Sequence, residues 1–531
     1  MQSYNLIDQP WITCLMKDGS VREVGIHECL ARAPDIAEIT DPSPLIVVSL
    51  HRLLLAILHR NFGPEDHATW GELWGKGHWD TRVVDAYLEE WRDRFDLLHP
   101  DRPFYQTPDL PDKLLTSIAK LAHELASGNN AALFDHSLDH SPSALPLPAA
   151  ARLLVTQQAY SIGGTYGSEG RGPVCAKSAP LLAGFVCLPR GANLAESLLL
   201  SMVRYERGTD FPILSEEGDA PAWESDEIRG PGEVPCRGYL EYLTWQSKRI
   251  RLAVHETSAG PEVAYIAITQ GWELSVIDAS LIRDPMMAWR RVSKPKPNEP
   301  PMRAMRITEE RALWRDSRAL TAPVTSDQFD RPRVLAELSQ RVGRAPLEVD
   351  YPVRVDIAGL CSDKAKVNFW RHERFPLPLR YLTDADLAES LDLSLGAAED
   401  AAQVIRAASW RLATVRLDPT GTRSPDRAEV DRLITGFPAQ RLYWSRLEAP
   451  FHQFVLALPT DRDAALAQWR QTLRRTATRS FDEAAAGLEG STDNLRATVA
   501  GRAALRSGLR KALAALDVSD HREETVTHGA I

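Results

Sequence analysis

Residues 5–15 read as a strand, the Asp18-Gly19 dipeptide as a turn, and residues 21–24 as the returning strand. Asp41-Pro-Ser-Pro44 interrupts the chain, and the apolar residues 45–61 predict a largely buried helix. A second helix is expected over residues 81–95, with Trp91 and Phe95 four apart on one face. Residues 99–112 are Pro-rich and extended. Residues 112–126 return to helical spacing through Leu114, Ile118, Leu121 and Leu125. A polar loop follows over residues 128–147, then a helix over 149–160 that runs into a glycine-rich loop at 163–172. Aromatic and β-branched residues at 238–252 predict a strand, and 353–369 read as strand, turn, strand with residues 361–364 at the tip.

The character changes after Pro378. Thr383 and Asp386 resemble a capping box, and Leu387, Leu391, Leu395 and Ile405 continue at helical spacing to residue 417. Helices are then expected over 426–435, 439–458, 461–486 and 491–516. The fold class is α+β: a large mixed domain over residues 1–377, an antiparallel four-helix bundle over 378–517, and a polar tail over 518–531.

Length and composition agree with this division. The 531 residues suit two to four domains, and 44% hydrophobic with 25% charged residues exclude a wholly disordered or fibrous chain. The start lacks a basic stretch followed by a long apolar run, and the run at residues 53–58 is too short to span a membrane. The six cysteines form no Cys-x-x-Cys pair, so reduced thiols and a cytoplasmic location are expected.

The formal charge of −10 at first counts against nucleic acid, but it is unevenly spread. Residues 209–235 hold eight acids and one arginine. Residues 283–306 hold seven Lys or Arg against two acids, and residues 462–511 hold ten against five. The strip at 283–306 reads either as a phosphate contact or as a solvated linker.

The glycine segment is not a P-loop, a Rossmann fingerprint or a nucleophile elbow. Backbone without side chains can approach a ligand closely. Asp135, His136, Asp139 and His140 have metal-binding residue types, but they sit in a Pro/Ser-rich loop without a second cluster, so a polar surface loop is favoured. His51 and His59 lie on the apolar helix and read as packed or surface residues rather than ligands. No cofactor and no metal are expected.

A resemblance carries the reading further. Tyr4-Asn-Leu-Ile-Asp-Gln-Pro-Trp-Ile12, Asp41-Pro-Ser-Pro-Leu45, Leu50-His-Arg-Leu-Leu-Leu-Ala-Ile-Leu58 and Arg102-Pro-Phe-Tyr-Gln-Thr107 resemble the CasA family. That family supplies the large subunit of the type I-E CRISPR Cascade complex. The likeness recurs at 127–134, in the glycine segment, at 238–252 and at 359–372, nearly the whole chain in order.

The resemblance implies a non-catalytic subunit that recognises the protospacer-adjacent motif (PAM) in duplex DNA, aids R-loop formation and recruits an effector nuclease-helicase. Its implied partners are the other Cascade subunits, the guide RNA and PAM-bearing DNA, with no membrane. A glycine loop reads the minor groove, matching Gly163, Gly164 and Gly167. A wedge at a hairpin tip falls on Lys364, where the best-known members have glutamine, flanked by Ser362 and Asp363. Phe134, Asp135 and His136 match a loop that docks near the guide RNA. The family's minor-groove lysine has no clear counterpart; Gln270 and Gly271 stand near its place, with Arg283 or Lys294 as substitutes. Arg470, Arg474 and Arg506 are the bundle's candidates for phosphate contacts. The alternatives are a metal-dependent nuclease using residues 135–140 and a pure assembly scaffold.

Overall fold

The computed structural model describes residues 3–122 and 144–517, apart from 171, 210–211, 228, 259, 297–299, 324–325, 345, 364–365 and 489. The chain divides into two compact units, Met1–Phe375 and Pro376–Ile531. The division falls two residues before the 377/378 boundary read from the sequence.

In the first unit, Ile12–Met16 pairs antiparallel with Val21–Val24 across the Asp18-Gly19 turn, and Ile36–Ile39 lies on its other edge. The first strand begins at Ile12 rather than at residue 5. Asn5 instead turns the chain, its side-chain oxygen accepting from the Ile7 amide at 3.0 Å. Pro44–Phe62 forms the central helix, buried along most of its length and packed against Leu147–Tyr160 and Tyr239–Leu243. It is the one helix among the described residues long and apolar enough to cross a membrane; here its apolar surface faces protein. His51 and His59 are both buried on it. The helix Thr81–Glu90 tightens into a 3-10 turn at Arg92–Phe95.

Two expected elements differ. Residues 112–122 are not an α-helix: Leu115–Ser117 is a strand between two 3-10 turns, Asp112–Leu114 and Ile118–Leu121. The strand completes a sheet by pairing with Tyr265, Ile266 and Ala267 of Gly260–Gln270, which itself pairs with Lys248–Thr257. Residues 238–252 are not one strand: Tyr239–Leu243 is helical, and the strand starts at Lys248. The buried Asp219 carboxylate caps that helix by accepting from the Leu240 and Glu241 amides at 2.9 and 3.0 Å.

A further antiparallel sheet runs Lys366–Pro376, Arg354–Asp363, Val186–Arg190 in that spatial order. Its first two strands are the strand, turn, strand expected at 353–369.

The second unit is helical. The Ala385–Leu417 helix is capped by Asp384, which accepts from the Asp386 and Leu387 amides, rather than by Thr383. It runs antiparallel to Thr492–Ala512, since Gly501 packs on Leu412 and Ala408 while Gly508 packs on Val404. A side chain on Gly501 would stand 2.6 Å from the Phe481 ring, so glycine sets this close approach. The expected helix at 439–458 is two, Ala439–Ser445 and Glu448–Ala457, both packed on Arg462–Ala486. With Arg427–Thr435 these complete the bundle around Trp469, Phe451 and Tyr443.

Candidate nucleic-acid interface

The glycine segment is a β-hairpin rather than a free loop. Gly164–Tyr166 pairs with Val174–Ala176, Gly164 opposite Ala176. Gly163 is required at its base: a Cβ there would lie 2.8 Å from the Ser178 amide nitrogen and 3.0 Å from the Ala176 carbonyl. Its amide donates to the Ser178 hydroxyl at 2.9 Å. Gly164 has φ of 155°, which side chains rarely adopt. Gly167 is exposed, and its carbonyl accepts from the Thr269 hydroxyl at 2.6 Å. At the exposed tip, the Lys113 ammonium donates to the Glu169 carbonyl at 2.6 Å and Arg249 pairs with the Glu169 carboxylate.

Beneath the hairpin, two lysines flank one ring. The ammonium groups of Lys120 and Lys248 lie 4.9 and 5.1 Å from the Tyr166 ring centre, within cation–π range. The Lys248 ammonium donates to the Lys177 and Ser247 carbonyls at 2.9 and 3.2 Å. Burial lowers its pKa to about 8, against the opposing charge of Glu273. Lys177, just after the hairpin, donates from its amide to Glu273 at 2.7 Å and from its half-exposed ammonium to the Leu274 carbonyl at 3.1 Å.

Lys177 and Lys248 therefore stand beside Gln270 and Gly271, with Lys177 ion-paired to Glu233 at 2.5 Å and Lys248 facing the charge of Glu273. They lie 71 residues apart in sequence, and no motif links them. Arg283 is paired with Asp330 at 2.5 Å, and Lys294 is exposed beyond Trp289–Arg291.

The basic strip is no bare linker. Trp289–Arg291 pairs with Met302–Ala304 and Phe329–Asp330, which sets exposed Arg290 directly opposite exposed Arg303.

The second hairpin, Arg354–Asp363 with Lys366–Pro376, has Ser362 exposed at its end and Asp363 as the last residue of its first strand. Lys364, the expected wedge, lies outside the described residues. The hairpin base is braced on two sides. Buried Asp356 accepts from Arg190 at 2.8 Å and stands 3.5 Å from His372 and 3.6 Å from Arg374. Burial opposes its ionisation, yet the His372 contact and the Arg190 and Arg374 charges hold its carboxyl well below the usual range. The His51 ring, pushed down to about 3 by burial and by Arg190, is neutral; its Nε2 accepts from Arg190 at 2.7 Å. On the other side, Arg371 donates to the Thr308, Glu309 and Arg311 carbonyls, and Glu373 accepts from the Leu313 and Trp314 amides at 2.9 and 3.1 Å.

In the helical unit, Arg474 and Arg506 are exposed, while Arg470 is half-buried and paired with Asp517 at 2.6 Å. Phe134, Asp135 and His136 lie outside the described residues, as do Asp139 and His140. Among the described residues, no group of three or more His, Cys, Asp or Glu could hold a metal.

A family model described as CRISPR-associated protein Cse1 matches residues 5–480. The CRISPR-associated protein CasA/Cse1 of Thermus thermophilus is 35% identical over 514 residues, covering 94% of this chain and 96% of that protein. A crystal structure of CasA from Thermus thermophilus superposes with a TM-score of 0.80 at 31% identity, covering 96% of this chain and all of that one. The Cse1 structure from Thermobifida fusca gives 0.77 at 26% identity, covering 97% and 98%. A chain of a CRISPR RNA-guided surveillance complex shares the fold at 21% identity, with a TM-score of 0.75 and coverage of 95% and 100%. A match of this extent, in sequence and in fold, places the chain in the CRISPR-associated Cse1 family.

Proposed function

We propose that this chain is the non-catalytic large subunit of a CRISPR RNA-guided surveillance complex, acting in the cytoplasm to recognise the PAM in duplex DNA. The observation that carries the reading is the match to Cse1 over nearly the whole chain. Two features of the first unit support the finer part. The glycine hairpin has an exposed tip on a pinned base, a shape able to lie against a minor groove about 6 Å wide. The second hairpin has a base braced on two sides and strands that run out to Asp363 and from Lys366, a rigid support for a wedge at Lys364. In such systems the guide reads sequence by pairing, and protein reads only the short flanking motif. The partners are the other subunits, the guide RNA, PAM-bearing DNA and an effector nuclease-helicase.

The test is R-loop yield on PAM-bearing duplex by the reconstituted complex. Lys364→Ala is expected to lower that yield several-fold, an effect larger than the change Gly164→Ala makes to protein stability. Equal yields for Lys364→Ala and wild type would overturn the wedge. Cleavage of duplex by the purified chain with Mg²⁺ or Mn²⁺, lost in Asp135→Ala and His136→Ala, would establish the nuclease instead. Bulky substitution at Gly167 tests the scaffold reading more cleanly than at Gly163, whose replacement disturbs the hairpin itself. PAM discrimination untouched by Gly167→Phe would favour a scaffold.

A further inference from the structure

The end of the strand Gly260–Gln270 touches the glycine hairpin at two levels. Near the tip, the Thr269 hydroxyl donates to the Gly167 carbonyl at 2.6 Å. At the base, Glu273 accepts from the amide of Lys177, the residue after the return strand, at 2.7 Å. Gln270 lies between these two tethers and is half-buried. Its amide nitrogen donates to the same Glu273 oxygen at 2.9 Å. The Gln270 side chain is therefore fixed beside the hairpin base, where Gly164 stands opposite Ala176.

Chemistry decides which way the amide faces. The Glu273 oxygen already accepts from a backbone N–H, so it serves Gln270 as an acceptor too, and the amide nitrogen is the atom that meets it. The Gln270 carbonyl oxygen is left over. Among the described residues no group donates to it, and it is not a buried atom. In a DNA minor groove, A·T pairs offer only acceptors, whereas a G·C pair adds the guanine amine, a donor. An acceptor held in place can pair with that amine and meets only like groups at A·T.

We propose that Gln270 determines specificity at one base pair of the PAM: its carbonyl oxygen accepts from the guanine amine and favours G·C over A·T there. Glu273 is its positioning residue, because it holds the amide in this orientation. The proposal deepens the minor-groove reading of the glycine hairpin and rests on it.

The reconstituted complex is bound to duplexes randomised at the PAM, and the preference at each position is read by sequencing the bound fraction. Wild type is expected to favour G·C over A·T at one position by about fivefold, the effect of a single hydrogen bond. Gln270→Leu removes the acceptor and should level that position. Gln270→Lys presents a donor to the adenine and thymine acceptors and should reverse the preference. Glu273→Gln lets the amide turn and should weaken the preference at the same position. The other positions should keep their wild-type preferences in all three variants, which a folding defect would not allow. Absence of a G·C preference at every position in wild type, or a preference that Gln270→Leu and Gln270→Lys both leave in place, would overturn the proposal. Gly167→Phe is read separately. Discrimination lost there but unchanged in the Gln270 variants removes only this proposal, and discrimination untouched in both removes the minor-groove reading beneath it.

Discussion

The two hairpins of the first unit solve the same mechanical problem differently. The glycine hairpin has strands of three residues, and a pair that short is marginal alone. Its rigidity comes from tethers: the Ser178 hydroxyl at Gly163, Thr269 at Gly167, Lys113 at Glu169, and two ammonium groups around Tyr166. The second hairpin has strands of 10 and 11 residues, and Val186–Arg190 extends its sheet. Its base reaches the core, where Asp356 meets Arg190. A short hairpin can be re-aimed by changing one tether. A long one moves only if its buried ion pair is broken.

Four substitutions probe that contrast. The largest effect is expected from Asp356→Ala, which strands the Arg190 guanidinium without its carboxylate. Breaking a buried pair in this way costs about 3–5 kcal/mol, measurable by urea unfolding at neutral pH. Because the folded carboxyl lies below its ordinary value, its contribution is complete above about pH 4 and fades as pH falls further. An acid limb unchanged in Asp356→Ala would show that the brace is not ionic.

Gly163→Ala comes next. Its methyl would press on the backbone of Ser178, an overpacking cost of about 1–3 kcal/mol. At Gly167 the nearest atom to a new Cβ is a terminal methyl of Leu114, 2.8 Å away, which can swing aside. Gly167→Ala should therefore cost much less than Gly163→Ala in the same urea unfolding measurement. Equal costs at the two positions would erase the distinction between base and tip.

The smallest effect concerns Lys248. Its folded pKa of about 8 lies below the unfolded value near 10.4, so the unfolded chain binds more protons between them. Stability should rise by on the order of 1 kcal/mol between about pH 8 and 9.5 from this group, and Lys248→Met should flatten that rise. Parallel stability curves for the two proteins would show that the ammonium is not the buried tether of the glycine hairpin.

The misread segments show where local pattern yields. Leu114, Ile118 and Leu121 have helical spacing, yet Leu115–Ser117 gains more by completing the sheet at Tyr265–Ala267. The aromatic run after Gly238 favours a strand, but the Asp219 carboxylate caps a helix there from outside the run. In both, a partner distant in sequence outweighed a weak local preference. Where the pattern is long and repetitive, as in residues 45–61 and 387–405, no distant partner needed to intervene.

The candidate site divides along the same line. The two long strands of the second hairpin were legible, because alternation and motif order are local properties. The convergence of Lys120, Lys177 and Lys248 on one hairpin was not.

The sequence by itself determined the mixed unit and the helical unit, the central apolar helix, the second hairpin and the family likeness. Each of these depends on periodicity or on residues close together in the chain. Only the tertiary structure decided that Gly163 serves internal packing, that Lys248 loses part of its basicity, and that Asp356 holds a hairpin to the core. Close approach, desolvation and ion pairing depend on which distant segments meet, and no local pattern of side chains encodes that meeting.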